Sequence, residues 1–564
     1  MTNPQPSSTG LTLMGKLISV LLVLGLVGLG AWIALRPKGH GAPGTVNGGG
    51  GGGDSPAAFD TSDLTETQMT PPKIDPAIAY VPAAGAPIDI ELSQYAGYAG
   101  LIVANGGLEP NDNSYFATKY GFKVRLKISE DESWSALNSG KMAASATTAD
   151  VLAIYGRQFQ VVVPAQIGYS RGADALLVRN EIRQVNDLKG KIVSAAQFTE
   201  SDFFIRYLAR EAGIPIKMLG DLKSELDPGA INVIYCKDGL PAGDFFLKAL
   251  KADSPSIAGC MTWAPKTSEI PAQSNGKAKL LVSNKNLLII ADILIVNRGF
   301  ADKNPDKVAA LVDGLLMGNK AVRDNPEGNA DVIGKALKWD HAKTLEELKK
   351  VHLSNLPEQM AFLSGSITQG GSFASIYQSA ILSYGNELIP NAVDSDRFVS
   401  LDALKKAEAS GVYKDQVAAI TPMASSASAV MEVDPVLSKD IRFLFQPNSS
   451  ILDMTNQENL KNLNAIKKIM DVSPGSHIVL VGHVDNSRIP ELKKTGGQAL
   501  VDKTALEAMQ LSKDRANEVM KQVVGHEKVE AKRLEVVGKG WTQPVSATDP
   551  DRNRRVEVQW FTLE

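Results

Sequence analysis

A chain of 564 residues is too long for a single hydrophobic core, so about two to four folding units are expected. Its 59 basic and 62 acidic residues leave a formal net charge of −3, which provides no basic field and weighs against nucleic acid as a partner. Only two cysteines occur, Cys236 and Cys260, which excludes a disulfide scaffold and a cysteine-rich metal site.

The first element along the chain is an uncharged apolar run over residues 17–35. Its length is close to the roughly 20 residues that cross a bilayer, and no small-x-small cleavage site follows it directly. A retained transmembrane helix is therefore favoured over a cleaved signal peptide. Lys16 before the run and Arg36 and Lys38 after it do not settle the orientation. If the downstream domains are periplasmic, residues 1–16 form a cytoplasmic N-terminus.

Residues 36–82 are predicted to form a linker. Gly, Pro, Ala, Ser and Thr dominate this segment, which includes an unbroken glycine run from Gly48 to Gly53. Such a composition buries too little apolar surface to fold, and roughly 45 residues of it would span about 35 to 40 Å. The segment is expected to hold the next domain away from a membrane without fixing its angle.

Residues 83–415 are predicted to form an α/β domain. Short apolar runs, such as Ile88 to Leu92, Gln160 to Pro164 and Ile293 to Asn297, are predicted strands that alternate with segments of helical periodicity, and beyond Asn304 the pattern is mostly helical. This alternation, sustained over so long a stretch, predicts two lobes around a cleft. Cys236 and Cys260 fall in successive strand segments here, so they could form a disulfide or remain two buried thiols.

A low-complexity linker over residues 416–432 precedes a final module over residues 433–564. The order of strand and helix patterns in this module predicts an α+β sandwich. Its strands are predicted at residues 441–445, 477–484, 533–537 and 555–561, and its helices at residues 457–470 and 504–524.

The final module resembles the OmpA-like peptidoglycan-binding domain. The resemblance rests on IRFLFQPNSSIL (441–452), IVLVGHVDNS (478–487), LSKDRANEVM (511–520) and a terminal DRNRRVEVQW strand, all in the family's order. It implies a site for the diaminopimelate of the peptidoglycan stem, which carries both an ammonium and a carboxylate. By motif matching, Asp485 would face the ammonium and Arg515 would bind the carboxylate, with Asn486, Leu511 and Ser512 beside them.

The module departs from the family pattern in two places. The segment between Asp485 and the LSKDR motif is longer than the family norm, and Ala508 stands where an asparagine is usual. The insertion could replace the missing contact, weaken wall binding or redirect the module to a protein partner. Arg554 and Arg555 are interpreted as mainly structural.

The central domain resembles periplasmic substrate-binding proteins of ABC importers, in the branch of nitrate, sulfonate and thiamine-precursor binders. The segments that carry the resemblance are residues 94–107, 135–153, 172–193 and 293–314. It implies a solute, with an oxyanion such as phosphate as the first expectation, held where strands end and helices begin. The residues expected to line that site are Ser93, Gln94, Tyr95, Thr147, Thr148, Thr199, Ser201 and Trp263. Thr148 and Thr199 are equally explained as helix N-caps, and Trp263 as a core residue.

No sequence feature supports catalysis. The chain has no GxxxxGK[ST] loop and no GxSxG elbow, and its six histidines form no ligand cluster, so no catalytic residue, metal or cofactor is predicted. The favoured function is non-enzymatic: a single-pass protein of the cytoplasmic membrane, mostly periplasmic, that binds peptidoglycan and a small anion. The alternatives are the solute-binding component of an ABC importer, with a permease as partner, and an envelope scaffold whose central domain no longer binds ligand.

Overall fold

The computed structural model describes residues 59–129, 133–367, 370–390, 392–420, 434–446 and 449–562. The predicted transmembrane helix at residues 17–35, the N-terminus before it, the first part of the linker after it and most of the second linker lie outside these ranges. Among the helices of the described ranges, none combines the length and the apolar character that a membrane span requires.

The first four strands and the first four α-helices of the described chain lie before residue 171. The strands are β1 (Ile88–Leu92), β2 (Val124–Ile128), β3 (Ala144–Thr148) and β4 (Val161–Ser170), and the helices are α1 (Ala99–Asn105), α2 (Tyr115–Tyr120), α3 (Trp134–Asn138) and α4 (Val151–Tyr155). Every residue of β4 is buried, as expected for a strand inside a sheet that is covered on both faces.

A second group of elements follows between residues 174 and 283. The strands are β5 (Asp174–Arg179), β6 (Ile192–Ala196), β7 (Ile216–Met218), β8 (Ile231–Cys236), β9 (Ile257–Trp263) and β10 (Ala278–Ser283), and the helices are α5 (Glu200–Glu211), α6 (Gly239–Lys251) and α7 (Lys266–Gln273). Thr199 and Asp238 cap the N-termini of α5 and α6 by accepting backbone hydrogen bonds.

The chain then returns to the first group and becomes mostly helical. The strands are β11 (Ala291–Asn297) and β12 (Val351–Leu353), and the helices are α8 (Arg298–Lys303), α9 (Pro305–Asp324), α10 (Pro326–Leu337), α11 (His341–Leu348), α12 (Leu356–Ser364), α13 (Phe373–Leu388) and α14 (Asp402–Ala409). Pro305 occupies the first turn of α9, as its position in the sequence predicts.

The central domain has two lobes, each built on a six-stranded mixed sheet. Lobe 1 has the strand order β12-β4-β11-β3-β1-β2, and lobe 2 has the order β10-β5-β9-β6-β8-β7. The chain crosses between the sheets twice, at residues 170–174 and at residues 283–291. The predicted two-lobed α/β architecture is therefore confirmed.

Residues 59–82 are not a free tether. Phe59 packs against Phe245, and Leu64 forms a β-bridge with Cys236, so the start of this segment lies on lobe 2. Further along, Ile78 donates a backbone hydrogen bond to Asn138, and Tyr80 is buried in lobe 1. The composition of residues 36–82 predicted a linker throughout, but the apolar side chains near its end have enough surface to dock.

The C-terminal module is a four-stranded sheet with two long helices. Its strands are β13 (Leu437–Ile441), β14 (His477–Gly482), β15 (Leu534–Gly538) and β16 (Val556–Phe561), in the order β13-β16-β14-β15, and its helices are α15 (Gln457–Val472), α16 (Ile489–Gly525) and the short α17 (Pro550–Asn553). The predicted polar insertion after Asp485 is helical: α16 begins at Ile489 and is interrupted only at Gly497, whose φ of 66° is not helical.

The module packs directly against the central domain. The side chain of Asn186 in lobe 2 exchanges two hydrogen bonds of 2.9 Å with the backbone of Ser438, at the start of β13. Leu288, in the second crossover between the lobes, donates a backbone hydrogen bond of 2.7 Å to Val472 at the end of α15. The module therefore contacts both lobe 2 and a segment that joins the two lobes.

Two glycines let α16 approach the sheet of the module. Gly482 and Gly538 are register partners at the ends of β14 and β15. A Cβ atom on Gly482 would lie 1.9 Å from the backbone oxygen of Ser512, and one on Gly538 would lie 2.7 Å from that of Met509. Because a backbone atom cannot move aside as a side chain can, this close contact requires glycine.

We expect Gly482→Ala to destabilise the protein by about 2 to 3 kcal/mol, since the added methyl group must push α16 away from the sheet. Thermal and denaturant unfolding of the full-length protein would measure the loss. Gly525→Ala, at the end of the same helix, is the matched control, because a Cβ atom there meets no other atom within 4 Å. Equal stability of both variants would contradict this account of the packing.

Candidate functional site

The first candidate site lies in the C-terminal module, around Asp485. This residue follows β14 by three positions and is partly buried. Its Oδ2 atom accepts a hydrogen bond of 2.8 Å from Nε of Arg554, and its Oδ1 atom accepts hydrogen bonds from the backbone and hydroxyl of Ser487. Burial opposes ionisation of Asp485, but these hydrogen bonds outweigh it and hold its pKa below the ordinary value.

Arg515, on α16, has no ion-pair partner among the described residues. Its guanidinium carbon lies 5.1 Å from the centre of the Phe445 ring, and its buried Nε atom has no hydrogen-bond acceptor. Burial lowers the pKa of Arg515, the positive charge of Arg554 lowers it further, and the negative charge of Asp485 opposes them. Arg554 also pairs with Asp551 at 2.9 Å, so Arg515 is the cation of this cluster that has no carboxylate partner among the described residues, which suits a ligand that carries a carboxylate.

The other residues predicted for this site have different roles. Ser512 is fully buried; its hydroxyl donates to the backbone oxygen of Met509 and accepts from the backbone N–H of Gly540, so it holds α16 against the sheet. Leu511 is exposed, and Asn486 is partly exposed beside Asp485. Ala508 is buried and offers no polar group.

Arg554 binds the Asp485 carboxylate through its Nε atom and is half exposed, which fits its interpretation as a residue that orders the loop beside the site. Arg555, by contrast, is buried and binds Asp440 at 2.7 Å and the backbone oxygen of Gln543, which ties the last strand to β13.

The second candidate site lies between the lobes, where three buried carboxylates come from distant parts of the chain. Asp150 precedes α4, Asp174 begins β5, and Asp292 is the second residue of β11; none is more than 5% exposed. Asp292 stands opposite Thr148 in the β3–β11 register. We refer to Asp150, Asp174 and Asp292 as the carboxylate cluster.

The hydrogen-bond partners of the carboxylate cluster are neutral. Asp174 accepts from the Ser170 hydroxyl at 2.5 Å and from the Asn284 amide at 2.9 Å, and Asp292 accepts from the Tyr98 hydroxyl at 3.2 Å. Neither carboxylate oxygen of Asp150 has a hydrogen-bond partner of normal geometry, although an aspartate at a helix N-cap ordinarily accepts one from the backbone.

Burial dominates the titration of the cluster. It raises the pKa of Asp150 to about 7, and the negative charges of Asp174 and Asp202 add to the shift while the Thr148 hydroxyl opposes it. It raises the pKa of Asp174 to about 6, against the hydrogen bonds from Ser170 and Asn284. The pKa of Asp292 also lies well above its ordinary value, because of burial and the charge of Asp174. Without a bound cation, the cluster therefore retains protons near neutral pH.

The residues predicted for solute binding divide into two groups. The hydroxyl groups of Tyr95, Thr147 and Thr148 are buried without a hydrogen-bond partner, and the charges of Asp292 and Asp174 contribute to raising the pKa of Tyr95 after burial. These three residues therefore face or adjoin the interlobe region.

The remaining residues predicted for solute binding either make other contacts or lie at the edge of the interlobe region. Gln94 is exposed and donates to the backbone oxygen of Leu337. Thr199 is an N-cap that accepts from the backbone N–H of Ser201, which is buried beside it. Trp263 pairs with Asp174 in the β5–β9 register and covers Gly239. Ser93 is partly exposed at the end of β1.

The sequence interpretation missed the carboxylate cluster. An aspartate inside an apolar strand, such as Asp292 in ADILIVN, is rarely buried without a partner, and this was the available signal. The oxyanion expected from the family resemblance stays a prediction, and the structure adds three buried acidic groups to the region where that ligand was expected.

The two cysteines are buried free thiols. They lie on β8 and β9, which are separated by β6 in the sheet, so no disulfide joins them. Burial raises the pKa of Cys236 to about 12 and that of Cys260 well above its ordinary value, which keeps both thiols protonated. Among the described residues, no group of three or more His, Cys, Asp or Glu side chains is placed to hold a metal ion.

Comparison with known proteins identifies the C-terminal module. Residues 444–557 match the OmpA family, which confirms the predicted identity of this part of the chain. No curated protein matches the sequence significantly.

Solved structures similar to the chain include periplasmic binding proteins. The aliphatic sulphonate binding protein SsuA from Escherichia coli is 17% identical, with a TM-score of 0.41 over 56% of this chain and 98% of that one. The alkanesulfonate-binding protein SsuA from Xanthomonas axonopodis pv. citri, bound to MOPS, is 16% identical, with a TM-score of 0.40 over 57% and 99%. The desulfurization enzyme DszB is 14% identical, with a TM-score of 0.37 over 57% and 99%.

Proposed function

We propose that the protein is a single-pass, mostly periplasmic envelope protein that binds peptidoglycan through its C-terminal module and a small solute between the lobes of its central domain. The observation that carries the first part is the Arg515 guanidinium, which has no ion-pair partner in the described chain and lies in one cluster with the Asp485–Arg554 pair. The match of residues 444–557 to the OmpA family supports the same assignment.

The cluster has the charges that diaminopimelate requires. Arg515 can donate two parallel hydrogen bonds to the ligand carboxylate, since a guanidinium matches a carboxylate in shape. Asp485 can accept from the ligand ammonium while Arg554 keeps the carboxylate ionised and oriented. The apolar run at residues 17–35 would hold the other end of the chain in the cytoplasmic membrane.

Sedimentation of the full-length protein with purified peptidoglycan sacculi tests the proposal. We expect the wild type to sediment with the sacculi but not alone, and Arg515→Ala and Asp485→Ala to bind at least about tenfold more weakly, because each removes one charge-assisted contact. Lys521→Ala removes an exposed charge from the same helix and is the matched control.

Two further arms sharpen this experiment. Arg515→Lys keeps the positive charge but loses the planar fork, so it should recover only part of the binding. Free diaminopimelate should compete with the sacculi for the wild type. A wild type that stays in the supernatant would rule out wall binding, and an Arg515→Ala variant that binds like the wild type would rule out this site.

The solute-binding part of the proposal rests on the unpartnered polar atoms between the lobes. Asp150, Thr147, Thr148 and Tyr95 all carry buried oxygen atoms without hydrogen-bond partners. Unsatisfied buried polar groups cost about 1 to 3 kcal/mol each, so a region that collects several of them gains most from a ligand.

A further inference from the structure

The ligand of the central domain can be assigned to a chemical class from the charges between the lobes. This assignment rests on the proposed function of that domain, since it presumes that the interlobe region takes a solute. Lobe 1 contributes Asp150 and Asp292, and Asp174 lies where the first crossover enters lobe 2. Glu200, at the start of α5 in lobe 2, is close enough for its charge to act on Tyr95. Both lobes therefore present negative groups to the same region.

Arg206 and Arg171 are the buried arginines of this region, and neither forms an ion pair with the carboxylate cluster. Arg206 pairs with Asp202 at 2.7 Å and donates to the Tyr235 hydroxyl at 2.7 Å. The Arg171 side chain donates to the backbone oxygen of Lys285 and to the Asn286 amide, on the second crossover. No described Lys, Arg or His forms an ion pair with Asp150, Asp174 or Asp292. The cluster lacks a counter-ion within the described chain.

The unpartnered atoms beside the cluster indicate what is missing. Neither oxygen of the fully buried Asp150 carboxylate has a hydrogen-bond donor of normal geometry. The Thr148 hydroxyl, on a residue more than nine-tenths buried, faces Asp150 closely enough to affect its titration and has no partner of normal geometry. The Tyr95 hydroxyl is unpartnered and lies within electrostatic range of Asp174 and Asp292. A ligand with several N–H donors and a positive charge would satisfy these acceptors together.

Two tyrosine rings beside the carboxylate cluster add aromatic surface to the region. Within the described ranges, no three acidic, His or Cys side chains converge closely enough to share a metal ion. Tyr95 and Tyr98 pack edge to face at 5.4 Å beside the carboxylate cluster and offer aromatic surface to a cationic group.

We propose that the central domain binds an organic cation, of the class of primary amines, diamines and guanidines, with Asp150, Asp174 and Asp292 as its counter-ions and Tyr95 and Thr148 as neutral contacts. Binding exchanges protons for the cation: the ligand enters with its positive charge, and the cluster releases protons to solvent. The region is closed to solvent, so the lobes must separate at residues 170–174 and 283–291 to admit the ligand. Asp174 is bonded to Ser170 and Asn284, one on each crossover.

This exchange predicts that affinity increases with pH. Protons compete with the cation below the raised pKa values of Asp150 and Asp174, so binding should strengthen from about pH 5.5 to about pH 8. The titratable and charged groups that face Asp150 from the neighbouring elements are Asp174, Asp202, Asp292 and Tyr384, with Arg206 behind Asp202. Since Arg206 is held by Asp202, none of these groups supplies a free positive charge.

The test is thermal shift and titration calorimetry on the full-length protein with defined probes at millimolar concentration. The cations are putrescine, spermidine, agmatine and ethanolamine; the anions are phosphate, nitrate and methanesulfonate; glucose serves as the neutral probe. We expect at least one cation to raise the melting temperature and to release protons on binding, as judged from calorimetry in two buffers of different ionisation enthalpy. We expect no shift from the anions.

Two variants connect the binding to the cluster. Asp150→Asn and Asp292→Asn should each weaken cation binding at least tenfold at about pH 8, where the wild-type carboxylates are most ionised. Asp302→Asn, which removes an exposed negative charge from α8, is the matched control and should bind like the wild type. Retained melting cooperativity would show that each variant is folded.

The outcomes separate this inference from the proposed function. If an anion or glucose binds and no cation does, the cation assignment is overturned while solute binding stands. If no probe of any charge binds, both are overturned. If a cation binds equally well to the wild type, Asp150→Asn and Asp292→Asn, the ligand lies elsewhere and the site is wrong.

Discussion

Arg206→Met is expected to destabilise the protein by about 3 to 5 kcal/mol, because it leaves the Asp202 carboxylate buried without its counter-ion. Asp202 is fully buried, and Arg206 is 5% exposed. Besides the pair itself, Arg206 donates to the Tyr235 hydroxyl on β8, and its guanidinium lies 5.0 Å from the centre of the Tyr384 ring on α13. Loss of the charge therefore loosens α5 from both its own sheet and a helix that packs on both lobes.

Denaturant unfolding of the full-length protein measures this effect. The double variant Asp202→Asn/Arg206→Met should recover part of the loss, because it removes the unpaired charge as well as its partner. Lys406→Met breaks the exposed Lys406–Asp306 pair and should change stability by less than about 0.5 kcal/mol. The account would be refuted if the single Arg206 variant were as stable as the Lys406 control.

Much of the architecture follows from the sequence because hydrophobic periodicity is a local signal. The alternation of apolar runs and helical segments predicted two lobes, and the helix expected at residues 457–470 is observed at Gln457–Val472. The strand expected at residues 441–445 is instead Leu437–Ile441, because β13 is an edge strand that pairs only with β16 and can carry polar residues such as Lys439 and Asp440.

Proline and composition misled the prediction in two other places. The strand predicted to end at Pro164 continues to Ser170, since the register shift between Leu294 and Val296 in β11 leaves Pro164 without a ladder bond to make. The Gly-rich composition before residue 83 concealed the docking of Phe59, Leu64 and Tyr80. In both cases the partner that stabilises the segment is far away in the sequence.

The two candidate sites differ in how far the sequence could reveal them. Asp485 and Arg515 belong to a motif with fixed spacing, so the sequence could place them together, although the contribution of Arg554 required the fold. The carboxylate cluster has no motif: Asp150, Asp174 and Asp292 meet only because β3, β11 and the first crossover adjoin in space.

Asp150→Asn is expected to stabilise the unliganded protein above about pH 7, by an amount on the order of 3 to 4 kcal/mol. The pKa of Asp150 is about 7 in the folded protein, against an ordinary value of 3.8 in the unfolded chain. Between these values the folded protein binds one proton more than the unfolded chain, so its stability falls as pH rises. The cost of ionising Asp150 is absent below about pH 4 and complete above about pH 7. An asparagine avoids that cost and, by removing a neighbouring charge, also lowers the pKa of Asp292.

The measurement is the difference in unfolding free energy between the wild type and Asp150→Asn, taken at several pH values between about 4 and 8. Taking a difference cancels the titration of other groups whose pKa values the substitution leaves unchanged. The difference in unfolding free energy should be close to zero at the acidic end, grow towards neutral pH and then level off. The same difference for Asp302→Asn should not change with pH. A buried carboxylate stabilised by an internal cation would behave in the opposite way, with the asparagine variant losing stability as pH rises. A loss of stability of the asparagine variant with rising pH would mean that Asp150 has a counter-ion, and the argument for a cationic ligand depends on its having none. The pH profile therefore tests the charge of the interlobe region without any ligand.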